Sequence, residues 1–182
     1  MGKSIKDLIG EGYPLKTEKK LPPYKIYCDM DGVLTDFESR FEHFTGMSPK
    51  DYEAKHGRSP FWQLIDVTVG IKFWSEMEWM PNGLQLWSFI QSYKPDILTS
   101  PSRDNSSRLG KNLWVSKHIS PNPKVIFSYS ADKHRYANEN SILIDDKESN
   151  IQEWAAKGGI AIRCENGNVN HVIEKLKVLG YE

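Results

Sequence analysis

The alternation of apolar and polar positions changes character at Tyr24. Upstream, polar and Lys-rich sequence is interrupted by Gly10, Gly12, Pro14 and Pro22-Pro23. Only positions 4–8 have the makings of a short helix, so residues 1–23 read as an N-terminal appendage or linker. Downstream, short β-prone runs at 25–28, 96–98, 125–127, 142–144 and 160–162 alternate with stretches of helical spacing at 37–44, 84–93, 109–118, 151–157 and 169–179. Strands alternating with helices predict an α/β fold, a parallel sheet with helices on both faces.

Residues 46–80 break that rhythm. They hold Phe61, Trp62, Phe73, Trp74, Met77 and Trp79 between glycines and prolines. We read them as a small, mainly helical insertion over the sheet. Its aromatics form a core of their own, with some of them facing a ligand. Residues 24–182 then make one domain carrying this insertion, as a chain of 182 residues allows.

Composition narrows the class. At 38% hydrophobic and 26% charged residues, the chain has the makeup of a folded globular protein, not a disordered one. Lys+Arg and Asp+Glu both number 24, so the basic surplus of a duplex-binding protein is missing and no duplex nucleic acid partner is expected. No apolar run has the length of a membrane span, and the N-terminal residues lack a signal-peptide pattern. A soluble, cytoplasmic protein is the expectation. Cys28 and Cys164 cannot build a disulfide framework and are expected to be reduced, partly buried thiols.

Candidate chemistry gathers at the ends of the apolar runs. Asp29, Thr99 and Asp145 each follow or close one, and in a parallel sheet the carboxyl ends of strands face the ligand. Asp29 and Asp31 are separated by one residue: one carboxylate can attack a phosphorus atom while the other donates a proton to the leaving oxygen. Gly32 permits a tight turn directly after them. A calcium loop would need acidic residues at positions one, three and five and glycine at six; here glycine comes fourth and Leu34 sixth, so that reading fails.

Thr99-Ser100-Pro101 is expected to lead into a helix whose start, with its hydroxyls and free N–H groups, would hold an anion. Asp145-Asp146, with Asp29 nearby, could form a hard oxygen site suited to Mg2+; Asp146 could also cap the helix that follows. Lys133, after the third run, could neutralise charge shared by a phosphate and its nucleophile.

The run Asp29-Met30-Asp31-Gly32-Val33-Leu34-Thr35-Asp36, followed in order by Thr99-Ser100, Lys133 and Asp145-Asp146, resembles the four motifs of the haloacid dehalogenase superfamily. Within it the chain is similar to the 5'(3')-deoxyribonucleotidases, from Ile26 to about Arg163. The similarity includes Asp36-Phe37-Glu38, Phe73-Trp74 before Met80-Pro81, and Leu98-Thr99-Ser100-Pro101. The resemblance implies a Rossmann-like parallel sheet (a HAD-like core) with a small helical cap between the first two motifs. It implies Asp29 as nucleophile, Asp31 as general acid/base, and Thr99 and Lys133 as phosphate holders. Mg2+ would be bound by the Asp29 side chain, the Asp31 carbonyl and Asp145, with Asp146 in support. Ser100, Arg103 and Lys111 match positions near the family's substrate, and Phe37 and Trp74 are the cap-side candidates for contacting a base.

The function so implied is Mg2+-dependent hydrolysis of phosphate monoesters, 5'(3')-(deoxy)nucleoside monophosphates foremost. Alternatives are a polynucleotide 3'-phosphatase, another small-molecule phosphatase of the superfamily, or a non-catalytic nucleotide-binding module. Base preference, 5' or 3' preference and oligomeric state, a homodimer included, are not legible in the sequence.

Overall fold

The computed structural model describes residues 23–182; the appendage expected at 1–23 lies, except for Pro23, outside the described residues. Five strands form one all-parallel sheet: β1 (Lys25–Cys28), β2 (Asp96–Thr99), β3 (Val125–Phe127), β4 (Ser141–Asp145) and β5 (Ile160–Arg163), in the order β3-β2-β1-β4-β5. Every residue of β4 is buried, as expected of an inner strand covered by helices on both faces. The chain winds outward from β1 through β2 to β3, then crosses back to β4 and β5. The strand order thus reverses between β1 and β4, where such sheets open a crevice at their carboxyl ends. Cys28 lies opposite both Ile144 and Ile97, so Asp29 is level with Asp145, and Thr99 is one residue beyond on the other side.

The principal helices are α1 (Phe37–Thr45), α2 (Pro49–His56), α3 (Arg58–Trp62), α4 (Ile71–Ser75), α5 (Gly83–Ile90), α6 (Asn105–His118), α7 (Glu148–Ala156) and α8 (Val169–Val178). Two sequence expectations need correction. Helix α6 begins at Asn105, because Asp104 takes the N-cap and accepts from Ser106 N; Thr99-Ser100-Pro101 therefore ends in a loop and not at a helix start. Asp146 does not cap α7 either. Lys147 occupies the cap position, and its N–H donates to Asp145 Oδ1 at 2.9 Å.

The stretch between α1 and α5 is helical but broken. Gly57 (φ 88°) separates α2 from α3, and Gly70 (φ 65°, ψ −140°) separates a π-helical turn, Gln63–Val69, from α4. Phe41, Phe61 and Phe73 are buried there, with ring centroids 4.8 Å apart for Phe41–Phe61 and 5.3 Å for Phe37–Phe73. Trp79 instead packs against Trp114 of α6, at 4.7 Å. Helix α4 sits directly on α6 because of Gly110. A Cβ there would lie 2.5 Å from Trp74 Cβ and 2.7 Å from the Ile71 carbonyl oxygen. That close approach carries the next residue, Lys111, under the cleft. No helix among the described residues is long and apolar enough to cross a membrane.

Candidate active site

Asp29 emerges from β1 nearly buried, at 7% exposure. Its Oδ1 accepts from Met30 N at 2.7 Å, and its Oδ2 meets Lys133 Nζ at 2.9 Å. Lys133 comes from the 3-10 turn Ser130–Tyr136 and also donates to Asp145 Oδ2 at 2.7 Å. One buried ammonium thus spans the sheet edge between the two carboxylates. Asp145 is further held by Asn150, whose Nδ2 lies 3.0 Å from each carboxylate oxygen. Asn150 in turn accepts from Ser130 Oγ at 2.6 Å, which ties the lysine-bearing turn to α7.

Asp29, Asp145 and Asp146 bring one carboxylate oxygen each within 4.8 Å of one another. Burial, then the charge of Asp29, pushes Asp145 up to about 6. Burial, then Asp29 and Asp145, pushes Asp146 up to about 7. Burial opposes the charge on Lys133, but Asp29 and Asp145 outweigh it and hold its pKa above the ordinary lysine value. Oxygen ligands crowded against their own repulsion are what a hard divalent cation relieves, so these residues fit the magnesium site that the motifs imply. Gly32 is required beside them: its φ is +78°, and a Cβ would meet Asp146 Oδ2 at 2.5 Å.

A second buried lysine organises the other side. Lys111 Nζ donates to Asp31 Oδ2 at 2.5 Å, Thr99 Oγ1 at 2.8 Å and the Ser100 carbonyl at 2.8 Å, and lies 5.1 Å from the Trp74 ring centroid. Thr35 Oγ1 donates to Asp31 Oδ1 at 3.1 Å. Asp31, Thr99 and Lys111 therefore form one unit, next to the unit of Asp29, Lys133 and Asp145.

Above both units opens a cleft of about 510 Å³, lined by Asp31, Phe37, Trp62, Trp74, Ser100 and Asp146 among others. Of the substrate-side candidates, Phe37, Trp74 and Ser100 line it, while Lys111 lies buried beneath. Arg103 does not join them. It is exposed and lines a neighbouring depression, because the loop after β2 runs on past Pro101 before α6 begins. Sequence reasoning named Trp62 only among the insertion's aromatics, and it missed Asn150 and Arg163. Arg163 lines the cleft, and its Nε donates to the Asp146 carbonyl at 3.1 Å. The signal for Asn150 was a polar residue in the first turn of a helix following two aspartates; its burial depends on tertiary packing. Both thiols are buried and free, as expected, and burial raises the pKa of each, that of Cys164 to about 11.

No family model matches the chain. It is 25% identical over 139 residues to a protein of Vibrio phage KVP40 named "Putative 5'(3')-deoxyribonucleotidase", covering 74% of this chain and 71% of that one. Among solved structures, it is similar to a haloacid dehalogenase-like family hydrolase from Streptococcus pneumoniae (TM-score 0.49, 16% identity, 87% of this chain and 97% of the other). It is also similar to a phosphonoacetaldehyde hydrolase-like protein from Oleispira antarctica (TM-score 0.48, 11% identity, 88% and 87%). The phage relative carries the name to which the motifs point, and the parallel sheet is the Rossmann-like core they imply. The chain is thus an α/β protein with a five-stranded parallel sheet and a helical insertion, similar in sequence to the phage protein and in fold to these hydrolases.

Proposed function

We propose that this chain is a Mg2+-dependent phosphatase that hydrolyses phosphate monoesters, nucleoside monophosphates foremost, through an aspartyl-phosphate on Asp29. The observation that carries it is the trio Asp29, Asp145 and Asp146 at the strand edge, the first two bridged by Lys133, opening on a cleft.

Bound Mg2+ would supply charge neutralisation and alignment of the phosphoryl oxygens. The chain's own groups do the rest. An Asp29 carboxylate oxygen attacks phosphorus, forming the aspartyl–phosphate bond as the ester P–O bond breaks. Asp31 delivers a proton to the departing sugar oxygen, then takes one from the water that cleaves the acyl phosphate and releases inorganic phosphate. Lys133 neutralises the charge that Asp29 shares with the phosphoryl group. Lys111 lies between Asp31 and Thr99. A phosphate resting by Thr99 would share the Lys111 ammonium with Asp31.

The nucleotide reading is supported by the phage relative's name and by the cleft. Its size is that of a small-molecule site, and Phe37, Trp62 and Trp74 are walls suited to a base. The test is phosphate release from 5'- and 3'-nucleoside monophosphates and from sugar phosphates, with Mg2+ and after chelation. Mg2+-dependent release, highest on nucleotides, is expected. Activity that survives chelation would remove the metal from the proposal; release from sugar phosphates alone would remove the nucleotide.

A further inference from the structure

The catalytic cleft does not stand by itself. A second depression, about 1140 Å³, shares Trp62, Pro101 and Ser102 with it as a common wall. Its remaining lining includes Arg58, Arg103 and Tyr129. The two arginines differ from the site's lysines in having little to neutralise them. Arg103 has no ion-pair partner among the described residues, and Arg58 has only Glu53 at 4.0 Å, with both side chains well exposed. The same wall also carries two carboxylates, Asp66 and Asp104, each accepting hydrogen bonds from neighbouring serines. Asp66 accepts from Ser102 Oγ at 2.9 Å and Ser106 Oγ at 3.4 Å, and Asp104 accepts from Ser106 N at 2.7 Å. Beside these hydrogen-bonded carboxylates, the depression offers a ligand two exposed guanidinium groups and two aromatic side chains, Trp62 and Tyr129, the latter 48% exposed.

We propose that this depression is a second subsite that takes the nucleotide next to the one being dephosphorylated, so that the preferred substrate is the phosphorylated end of a short single-stranded oligonucleotide. The inference rests on the phosphatase reading above and extends its substrate. Guanidinium groups grip phosphodiester oxygens in paired hydrogen bonds, and exposed aromatic rings accept any base by stacking. A ligand longer than a mononucleotide can engage both pockets across the shared Trp62 wall. Zero net charge agrees with a site that engages one or two phosphates and does not track a long polyanion.

The test compares kcat/KM for a thymidine monophosphate and for a thymidine dinucleotide bearing the same terminal phosphate, using the wild type, Arg58→Ala and Arg103→Ala. The dinucleotide is expected to be favoured about tenfold or more. Its advantage should fall with salt by about 0.7 in log–log slope for each phosphate neutralised, and each arginine variant should reduce the ratio severalfold. A thymidine 3',5'-bisphosphate serves as a third substrate: an advantage equal to the dinucleotide's would reduce the subsite to a phosphate pocket and overturn the stacking half of the proposal. A wild-type ratio near one, or a ratio unchanged in both variants, overturns the proposal entirely while leaving the phosphatase standing. Direct calorimetric binding of the dinucleotide and mononucleotide separates the remaining case. If neither substrate turns over but the dinucleotide binds more tightly through Arg58 and Arg103, the phosphatase reading fails and the subsite survives.

Discussion

The two walls of the cleft are built on opposite plans. On the sheet side, Asp29, Asp145, Lys133 and Lys111 are buried, and each charge is neutralised by a neighbour within about three ångströms. On the cap side, α3 and α4 are five residues each, set off by Gly57 and Gly70, and Arg58 and Arg103 face solvent. Low-dielectric burial makes the first wall a fixed electrostatic device, whose geometry is held by charges that cannot be separated cheaply. The second wall is cut into short pieces, and α4 alone is seated tightly on the core, at Gly110 of α6. Under the proposed function, the chemistry falls to the charge-paired wall and selectivity to the segmented one.

That contrast can be broken most sharply at Lys133. Replacing it with Met leaves Asp29 and Asp145 buried against each other without a counter-ion, and a stability loss of about 3–5 kcal/mol is expected. Denaturant unfolding with and without Mg2+ checks it: a loss that the metal partly restores fits a shared charge cluster, and an undiminished midpoint would contradict it. A pH series on the metal-free wild type probes the same wall. Asp145 and Asp146 titrate in the fold at about 6 and about 7, above their unfolded values, so the native state binds more protons between about pH 4 and 7. Their contribution therefore makes the metal-free protein less stable as pH rises through that window. The increase in Tm on adding Mg2+ should grow over the same range, because the ligands must be deprotonated. An increment equal at pH 5 and pH 8 would contradict the shifts.

Smaller effects are expected where the cap meets the core. Gly110→Ala forces a methyl against Trp74 and the Ile71 carbonyl and should cost about 1–3 kcal/mol. Because Lys111 follows it, kcat should fall by more than the stability loss explains. Full activity in a folded G110A protein would show that the α4–α6 contact does not position Lys111. Ser102→Ala removes the cap-to-core hydrogen bond to Asp66 and should cost about 1 kcal/mol, read by thermal unfolding, with kcat within about twofold of wild type.

The same division decides what could be read from the sequence. β-Runs ending in Asp29, Thr99 and Asp145 are local signals, and strand register alone brings them to one edge, so that wall was legible. Lys111 was legible only as a position near substrate. Its contact with Asp31 spans 80 positions and depends on the absence of a side chain at Gly110. The start of α6 was misplaced because Asp104 and the polar residues after it extend the helix ahead of its apolar pattern. Arg103 was grouped with the cleft because it matches a position near substrate in the family it resembles, whereas the loop after Thr99 carries it past the shared wall. The cap is least legible of all: helices of five residues and a π-helical turn leave too little periodicity to fix their faces.

The most direct measurement is the turnover of Asp29→Asn on a nucleoside monophosphate with saturating Mg2+, alongside its circular dichroism and unfolding midpoint. A folded variant with kcat reduced more than about a thousandfold is predicted, in the range seen when a covalent nucleophile is removed. A folded variant that turns over at a rate near wild type would contradict the assignment of Asp29 as the group that takes the phosphoryl.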